Sequence, residues 1–123
     1  MGTSPKIVYM GTPEFAVAPL QKLVENGYNI VGVVTVPDKP SGRGLKLNQS
    51  AVKQYAMEHL VPGGTKLMQP VSLKDEEFLQ ELRSLGADMF IVVAFRMLPE
   101  VVWGMPPLGT FNLHGSLLPL YRG

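Results

Sequence analysis

The chain has no cysteine. That absence excludes disulfide frameworks and thiolate metal sites together, and it makes a reducing, cytoplasmic compartment the default expectation. Charge is sparse as well: Asp, Glu, Lys and Arg make up 17% of the 123 residues and leave a formal net charge of +1. So small an excess gives no general attraction to nucleic acid or to anionic membranes, and any RNA contact has to come from a local basic patch. Long apolar runs are also missing. Met89 to Phe95 falls far short of the roughly 20 residues that span a bilayer. Pro5 and Lys6 lead directly into a short strand-like run, which is not the pattern of a signal peptide. What the chain does have is apolar material, 46% of its residues, enough to bury one core at this length. No internal repeat or low-complexity segment interrupts it, and the scattered methionines form no stripe that would mark a partner groove.

The order of elements reads as alternating strand and helix. Lys6 to Met10 is a buried strand, turned by Gly11-Thr12-Pro13-Glu14 into a helix over about Phe15 to Asn26, with Phe15, Val17, Leu20, Leu23 and Val24 on one face. Gly27 stops that helix, and the β-branched run Ile30 to Val36, bounded by Pro37, is a second buried strand. Pro37 to Gln49 has no apolar period and reads as a long exposed loop. Ser50 is placed to cap a helix through His59, with Val52, Tyr55 and Ala56 inward, and Lys66 to Met68 is a short edge strand. A third helix follows Ser72, buries Phe78, Leu79, Leu82 and Leu85, and ends at Gly86. The continuous apolar run Met89 to Ala94 is a strand covered on both faces. Pro99 opens a helical turn through Val102 and Trp103, and Thr110 to Leu113 is a last short strand. Together these predict an α/β architecture, a doubly wound and mostly parallel sheet.

In such sheets ligands bind beyond the carboxyl ends of the strands, which selects the loops after Met10, Ala94 and Leu113. The first excludes a dinucleotide site: that fingerprint needs three spaced glycines, whereas Gly11 is followed by Pro13 and Glu14. Glu14 suits a helix N-terminus, and His59 suits a helix C-terminus. The third loop places Asn112 and His114 two residues apart, on the same side of a strand that holds that far. Asn offers an N–H donor independent of pH, and His can donate, accept or carry charge near neutrality. Such a pair suits acyl transfer to an amine, where an oxyanion develops and protons must move; a structural hydrogen-bonding pair fits the same pattern. Gly115 permits close backbone approach there, and Pro119 fixes a turn. Lys39, Arg43 and Lys46, with Gly42 and Gly44 beside the arginine, are suited to tracking phosphates, and equally to an ordinary solvated loop. Trp103 and Met105 are expected as core or pocket wall.

The segment Asn112-Leu113-His114-Gly115-Ser116-Leu117-Leu118-Pro119 resembles the signature of the formyltransferase family that uses 10-formyltetrahydrofolate. The resemblance implies a Rossmann-like formyltransferase fold in which Asn112 and His114 are catalytic and Ser116, Leu117, Leu118 and Pro119 line the folate site. Tyr121-Arg122-Gly123 follows the signature too. Tyr9 to Ala16 and Pro37 to Gly44 resemble the branch whose basic loop enters the acceptor stem of initiator methionyl-tRNA, which makes Lys39, Arg43 and Lys46 the expected tRNA contacts. Phe95, Arg96, Met97 and Leu98 fall beside the expected pterin pocket, and Phe95 and Arg96 stand where the family commonly has tyrosine and glycine. The family's third catalytic residue is an aspartate well downstream of the histidine, and no acid follows His114 here. The chain is therefore expected to be a truncated N-terminal part (residues 1–123) of the catalytic domain. The rest of that domain and a C-terminal barrel domain would be absent, and the fragment would be inactive alone. A monomer without metal or membrane contact is expected, with 10-formyltetrahydrofolate as co-substrate and initiator methionyl-tRNA as partner. A relative that formylates a sugar-nucleotide amine, or a non-catalytic folate-binding module of the same fold, are the alternatives.

Overall fold

The computed structural model describes residues 4–40 and 47–113. Strand β1 (Lys6–Gly11) leads through a 3-10 turn (Glu14–Ala16) into helix α1 (Val17–Glu25), and β2 (Asn29–Val34) follows. A two-residue hairpin, β3 (Lys39–Pro40) with β4 (Leu47–Asn48), precedes α2 (Ala51–His59) and β5 (Lys66–Met68). The chain then runs through α3 (Glu76–Ser84), β6 (Met89–Val93), the short α4 (Glu100–Trp103) and β7 (Thr110–Asn112).

The main sheet has the order β5-β2-β1-β6-β7, and every neighbouring pair in it is parallel. From β1 the chain first winds outward through β2 to β5, then returns to the other side of β1 and winds outward again through β6 to β7. The sheet is therefore doubly wound and Rossmann-like, with its reversal between β1 and β6. The two-residue period of the strands sends alternate side chains to opposite layers. Val8, Met10, Phe90 and Val92 pack with Phe78, Leu79 and Leu82 of α3 and Val102 of α4. Ile7, Tyr9, Ile91 and Val93 pack with Leu20 of α1 and Val52 and Ala56 of α2. Full burial of each large apolar side chain contributes about 1.5–3 kcal/mol before the entropy of ordering is counted.

Alternation breaks once, in β2. The register slips between Ile7 and Val8, so Ile30 opposes Ile7 while Gly32 opposes Val8. Val31 is the extra residue of a bulge. Val31 packs toward the α3 layer, and Gly32 turns to the same side, where an added Cβ would lie 2.7 Å from Leu85 Cδ1 and 3.1 Å from Met68 Cε. Only a residue without a side chain fits there unless Leu85 moves.

Local sequence accounts for the caps. Ser50 Oγ accepts from Lys53 N at 3.0 Å and opens α2, as expected. Gly27 and Gly86 close α1 and α3 with φ of 82° and 62°, the left-handed backbone that glycine adopts without penalty. Some expectations are corrected. Helix α3 starts at Glu76 and not directly after Ser72, because Asp75 caps it, its carboxylate accepting from Phe78 N at 3.0 Å; Ser72 makes a local turn, its Oγ accepting from Lys74 N at 3.1 Å. The helix after β1 begins at Val17, because the preceding turn is wound as 3-10 at about 120° per residue. That phase change buries Ala16 and leaves Phe15 69% exposed. The second strand ends at Val34, although the ladder to β5 continues for one bond, Thr35 N donating to Met68 O at 3.0 Å. The expected loop from Pro37 to Gln49 contains the β3–β4 hairpin.

Candidate functional site

The carboxyl ends of β1 and β6 meet at the reversal of strand order. Gly11 is paired there with Val93, and an added Cβ would lie 2.9 Å from the Val93 carbonyl oxygen and 3.2 Å from Ala16 Cβ. Glycine at this position lets the ends of the two strands close together. The next residue, Thr12, has a buried hydroxyl with no hydrogen-bond partner among the described residues. Beneath it the fully buried Tyr9 hydroxyl donates to the Ala16 carbonyl at 2.6 Å. Burial holds that phenol well above the usual tyrosine range, so Tyr9 is a fixed donor joining β1 to the start of α1.

On the other side of the reversal the chain leaves β6 through Ala94, which has a left-handed backbone with φ 52°. Non-glycine residues hold that conformation at a cost of roughly 1–2 kcal/mol, and only where their surroundings enforce it. The loop then presents Phe95, Arg96, Met97 and Leu98. Phe95 packs against the α3–α4 core layer and Leu98 is buried within it, whereas Met97 is 74% exposed. Arg96 does not project as a free charge. Nη1 donates to Val71 O and Nη2 to Pro70 O, each at 2.9 Å, and the guanidinium carbon lies 5.0 Å from the centre of the Phe95 ring. Its Nε–H is buried without a partner among the described residues. Desolvation lowers the arginine pKa from its ordinary value, which leaves it a cation at any physiological pH. A cavity of about 400 Å³ opens between this loop and the β5–α3 connection, lined by Ser72, Leu73 and Lys74 on one side and Arg96, Met97, Leu98 and Pro99 on the other. Met105 lines a separate cleft of about 560 Å³ with Arg83, Glu100, Val101 and Gly104, and Trp103 packs against the core.

Asn112 is the last residue of β7, half-buried, and in register with Val92 of β6. Paired residues of parallel strands face the same side, so Asn112 shares the α3–α4 side with Val92. Thr110, two residues earlier, shows that orientation directly, its hydroxyl donating to Trp103 O at 2.8 Å. Leu113 N still donates to Val92 O at 2.8 Å, so β7 holds its line up to the last described residue. Asn112 and the Ala94–Pro99 loop thus leave neighbouring strands at the same end of the sheet. His114, Ser116, Leu117, Leu118 and Pro119 lie outside the described residues.

The basic loop has a polar root that sequence pattern did not reveal. Asp38 accepts from Lys53 Nζ of α2 at 2.8 Å and from Gln69 Nε2 at 2.8 Å, and Gln69 also donates to Val36 O at 3.1 Å. The hydrogen bond from Lys53, then that from Gln69, holds the Asp38 carboxyl below its usual pKa. Beside it Thr35 and Ser50 hydroxyls share a hydrogen bond of 2.7 Å. Lys39 is exposed on β3, while Arg43 and Lys46 lie outside the described residues.

A parallel, doubly wound sheet with a glycine-closed reversal and an amide at the end of β7 is a frame that many classes of protein share, and family comparison gives the class of this one. The chain belongs to the formyl transferase family, whose model matches residues 5–123. Within that family it is similar to particular enzymes: it is 69% identical over 118 residues to the methionyl-tRNA formyltransferase of Bacteroides fragilis and 67% identical over 118 to that of Bacteroides thetaiotaomicron. Against the methionyl-tRNA formyltransferase of Parabacteroides distasonis the identity is 68% over 119 residues. These matches take in 96% of this chain and 35% or 36% of each relative; the chain spans about a third of the length of the curated relatives it matches.

Proposed function

We propose that this chain is the N-terminal part of the catalytic domain of an enzyme that moves a formyl group from 10-formyltetrahydrofolate to the amino group of methionine carried on initiator tRNA. The observation that carries the reading is the position of Asn112 at the carboxyl end of β7, next to the loop that leaves β6, in a chain so similar to methionyl-tRNA formyltransferases. The rest of the catalytic domain and a C-terminal barrel domain belong to the remaining length of the protein, a cytoplasmic monomer in this reading.

In the reaction the methionyl nitrogen attacks the formyl carbon. A C–N bond forms, the carbonyl oxygen takes up negative charge, and collapse of that intermediate breaks the bond to the folate nitrogen, which gains the proton the amine loses. Asn112 supplies an amide N–H to the developing oxyanion without changing its own protonation. His114 stabilises the same charge and passes the proton, oriented by an acid from the rest of the protein. Folate recognition falls to the β6–α4 loop and to Ser116, Leu117, Leu118 and Pro119. The buried Nε–H of Arg96, without a partner among the described residues, stands at the wall of a cavity of about 400 Å³, and the two together suit a flat heterocycle with polar edges. Lys39, Arg43 and Lys46 meet the phosphates of the tRNA.

The test uses the full-length protein with charged initiator tRNA as acceptor. Asn112→Ala is expected to lower kcat by about 10²- to 10³-fold while the KM for the formyl donor changes little. Near-normal turnover with only a raised KM would make Asn112 a binding group and overturn the assignment. Turnover confined to a sugar-nucleotide amine would replace the acceptor.

A further inference from the structure

The cavity beside the β6–α4 loop has two walls from separate parts of the chain: Ser72, Leu73 and Lys74 from the β5–α3 connection, and Met97, Leu98 and Pro99 from the loop after β6. Neither wall is regular secondary structure, so the gap between them is not set by a backbone ladder. Arg96 spans it. One nitrogen of its fork donates to Val71 O and the other to Pro70 O, both at 2.9 Å, so the cation ends on the backbone that leads into Ser72. The stem of the same side chain starts two residues after Ala94, whose left-handed φ of 52° sets the loop off at a sharp angle. The Phe95 ring, 5.0 Å from the guanidinium carbon, is itself packed on the core layer and supports the fork from the other side.

We propose that Arg96 is a positioning residue that ties the β6–α4 loop to the β5–α3 connection and so sets the width of this cavity before ligand arrives. The inference rests on the reading of the cavity as part of the folate site, and it gives Arg96 a role at a distance from the reacting atoms. A fork is needed, because two successive carbonyl oxygens take one donor each, and the single ammonium of lysine cannot reproduce that planar pair of bonds. Leu73 and Leu98 keep both walls seated on one core layer, so without the tie it is their exposed parts, Ser72, Lys74 and Met97, that gain freedom; the ligand-ready arrangement becomes a fraction of the population, and apparent affinity falls by that fraction. Loss of one charge-assisted hydrogen bond corresponds to about a tenfold change in such an equilibrium.

The experiment compares the full-length protein with its Arg96→Ala and Arg96→Lys variants. Tetrahydrofolate binding is measured by calorimetry, and amide hydrogen exchange is followed over residues 71–74 and 95–98 in the absence of ligand. Arg96→Lys, which keeps at most one of the two bonds, is expected to bind tetrahydrofolate about tenfold more weakly, Arg96→Ala, which loses both, more weakly still, and both are expected to exchange faster in both segments, with β1 and β6 amides unchanged. In steady state the KM for the formyl donor should rise more than kcat falls. If Arg96→Ala does not fold, Arg96→Lys carries the same comparison. Parent-like affinity together with parent-like exchange in a folded variant would overturn the proposal. A parent protein that binds no tetrahydrofolate would overturn the folate reading instead, and the exchange data would still decide whether Arg96 joins the walls.

Discussion

Gly11→Ala in the full-length protein is the most direct probe of the strand reversal. The new methyl carbon would sit 2.9 Å from the Val93 carbonyl oxygen and 3.2 Å from Ala16 Cβ, against about 3.3–3.6 Å for the closest comfortable carbon–oxygen approach. The obstacle is main chain, so no rotamer change relieves it, and the ends of β1 and β6 must part by about half an ångström relative to that limit. Overpacking of this kind typically costs about 1–3 kcal/mol. Urea unfolding should therefore show a lower midpoint with an unchanged slope, and tetrahydrofolate affinity should fall because Val93 leads directly into Ala94 and the ligand-facing loop. Gly63→Ala is the control: nothing lies within 4 Å of its added carbon, and its stability should stay within about 0.5 kcal/mol of the parent. A Gly11→Ala protein as stable as that control, with parent-like folate affinity, would refute the steric argument.

Two further predictions concern groups the site leans on. Tyr9→Phe removes the donor to Ala16 O at a fully buried position and should destabilise by about 0.5–1.5 kcal/mol, read from the urea midpoint; an unchanged midpoint would show the hydrogen bond to be replaceable. Asp38 has a folded-state pKa below its unfolded value, so its contribution to stability is present above the unfolded pKa of about 4 and is lost as pH falls through the folded value. Asp38→Asn should accordingly flatten the loss of stability on acidification below about pH 4, and equal acid sensitivity in the two proteins would contradict the clamp by Lys53 and Gln69.

Much of this architecture was legible because its signals are local and periodic. The apolar runs of β1, β2 and β6, the Ser50 cap, and the glycines at 27 and 86 each state their own structure through side-chain spacing or backbone freedom. What was not legible depends on partners distant in sequence. Phe15 reads as part of an apolar helical face, and only the 3-10 winding of its turn puts it outside. The β3–β4 hairpin pairs two residues of each strand, too few for alternation to register, and its root is held by Lys53 and Gln69 from elsewhere in the chain. Ser72 marks only the approach to the third helix, whose start is fixed three residues later by the Asp75 carboxylate on Phe78 N. Arg96 reads as a charge beside a pocket, whereas its fork is directed at carbonyls more than twenty residues upstream. Spacing reads Asn112 only as the amide of a strand-end Asn-x-His pair, catalytic or structural, and the family signature is what gives it a role; the structure adds that it ends β7.

The bulge in β2 has an evolutionary consequence. An added Cβ at 32 would meet the terminal methyl of Leu85 at 2.7 Å and Met68 Cε at 3.1 Å, so growth at 32 depends on what stands at 85, whereas 85 can shrink by itself and leave a void. A lineage that gains a methyl at 32 has first to turn or shorten the side chain at 85. The order of change is therefore directional: a substitution at 85 opens the way for one at 32, and the reverse order meets a clash.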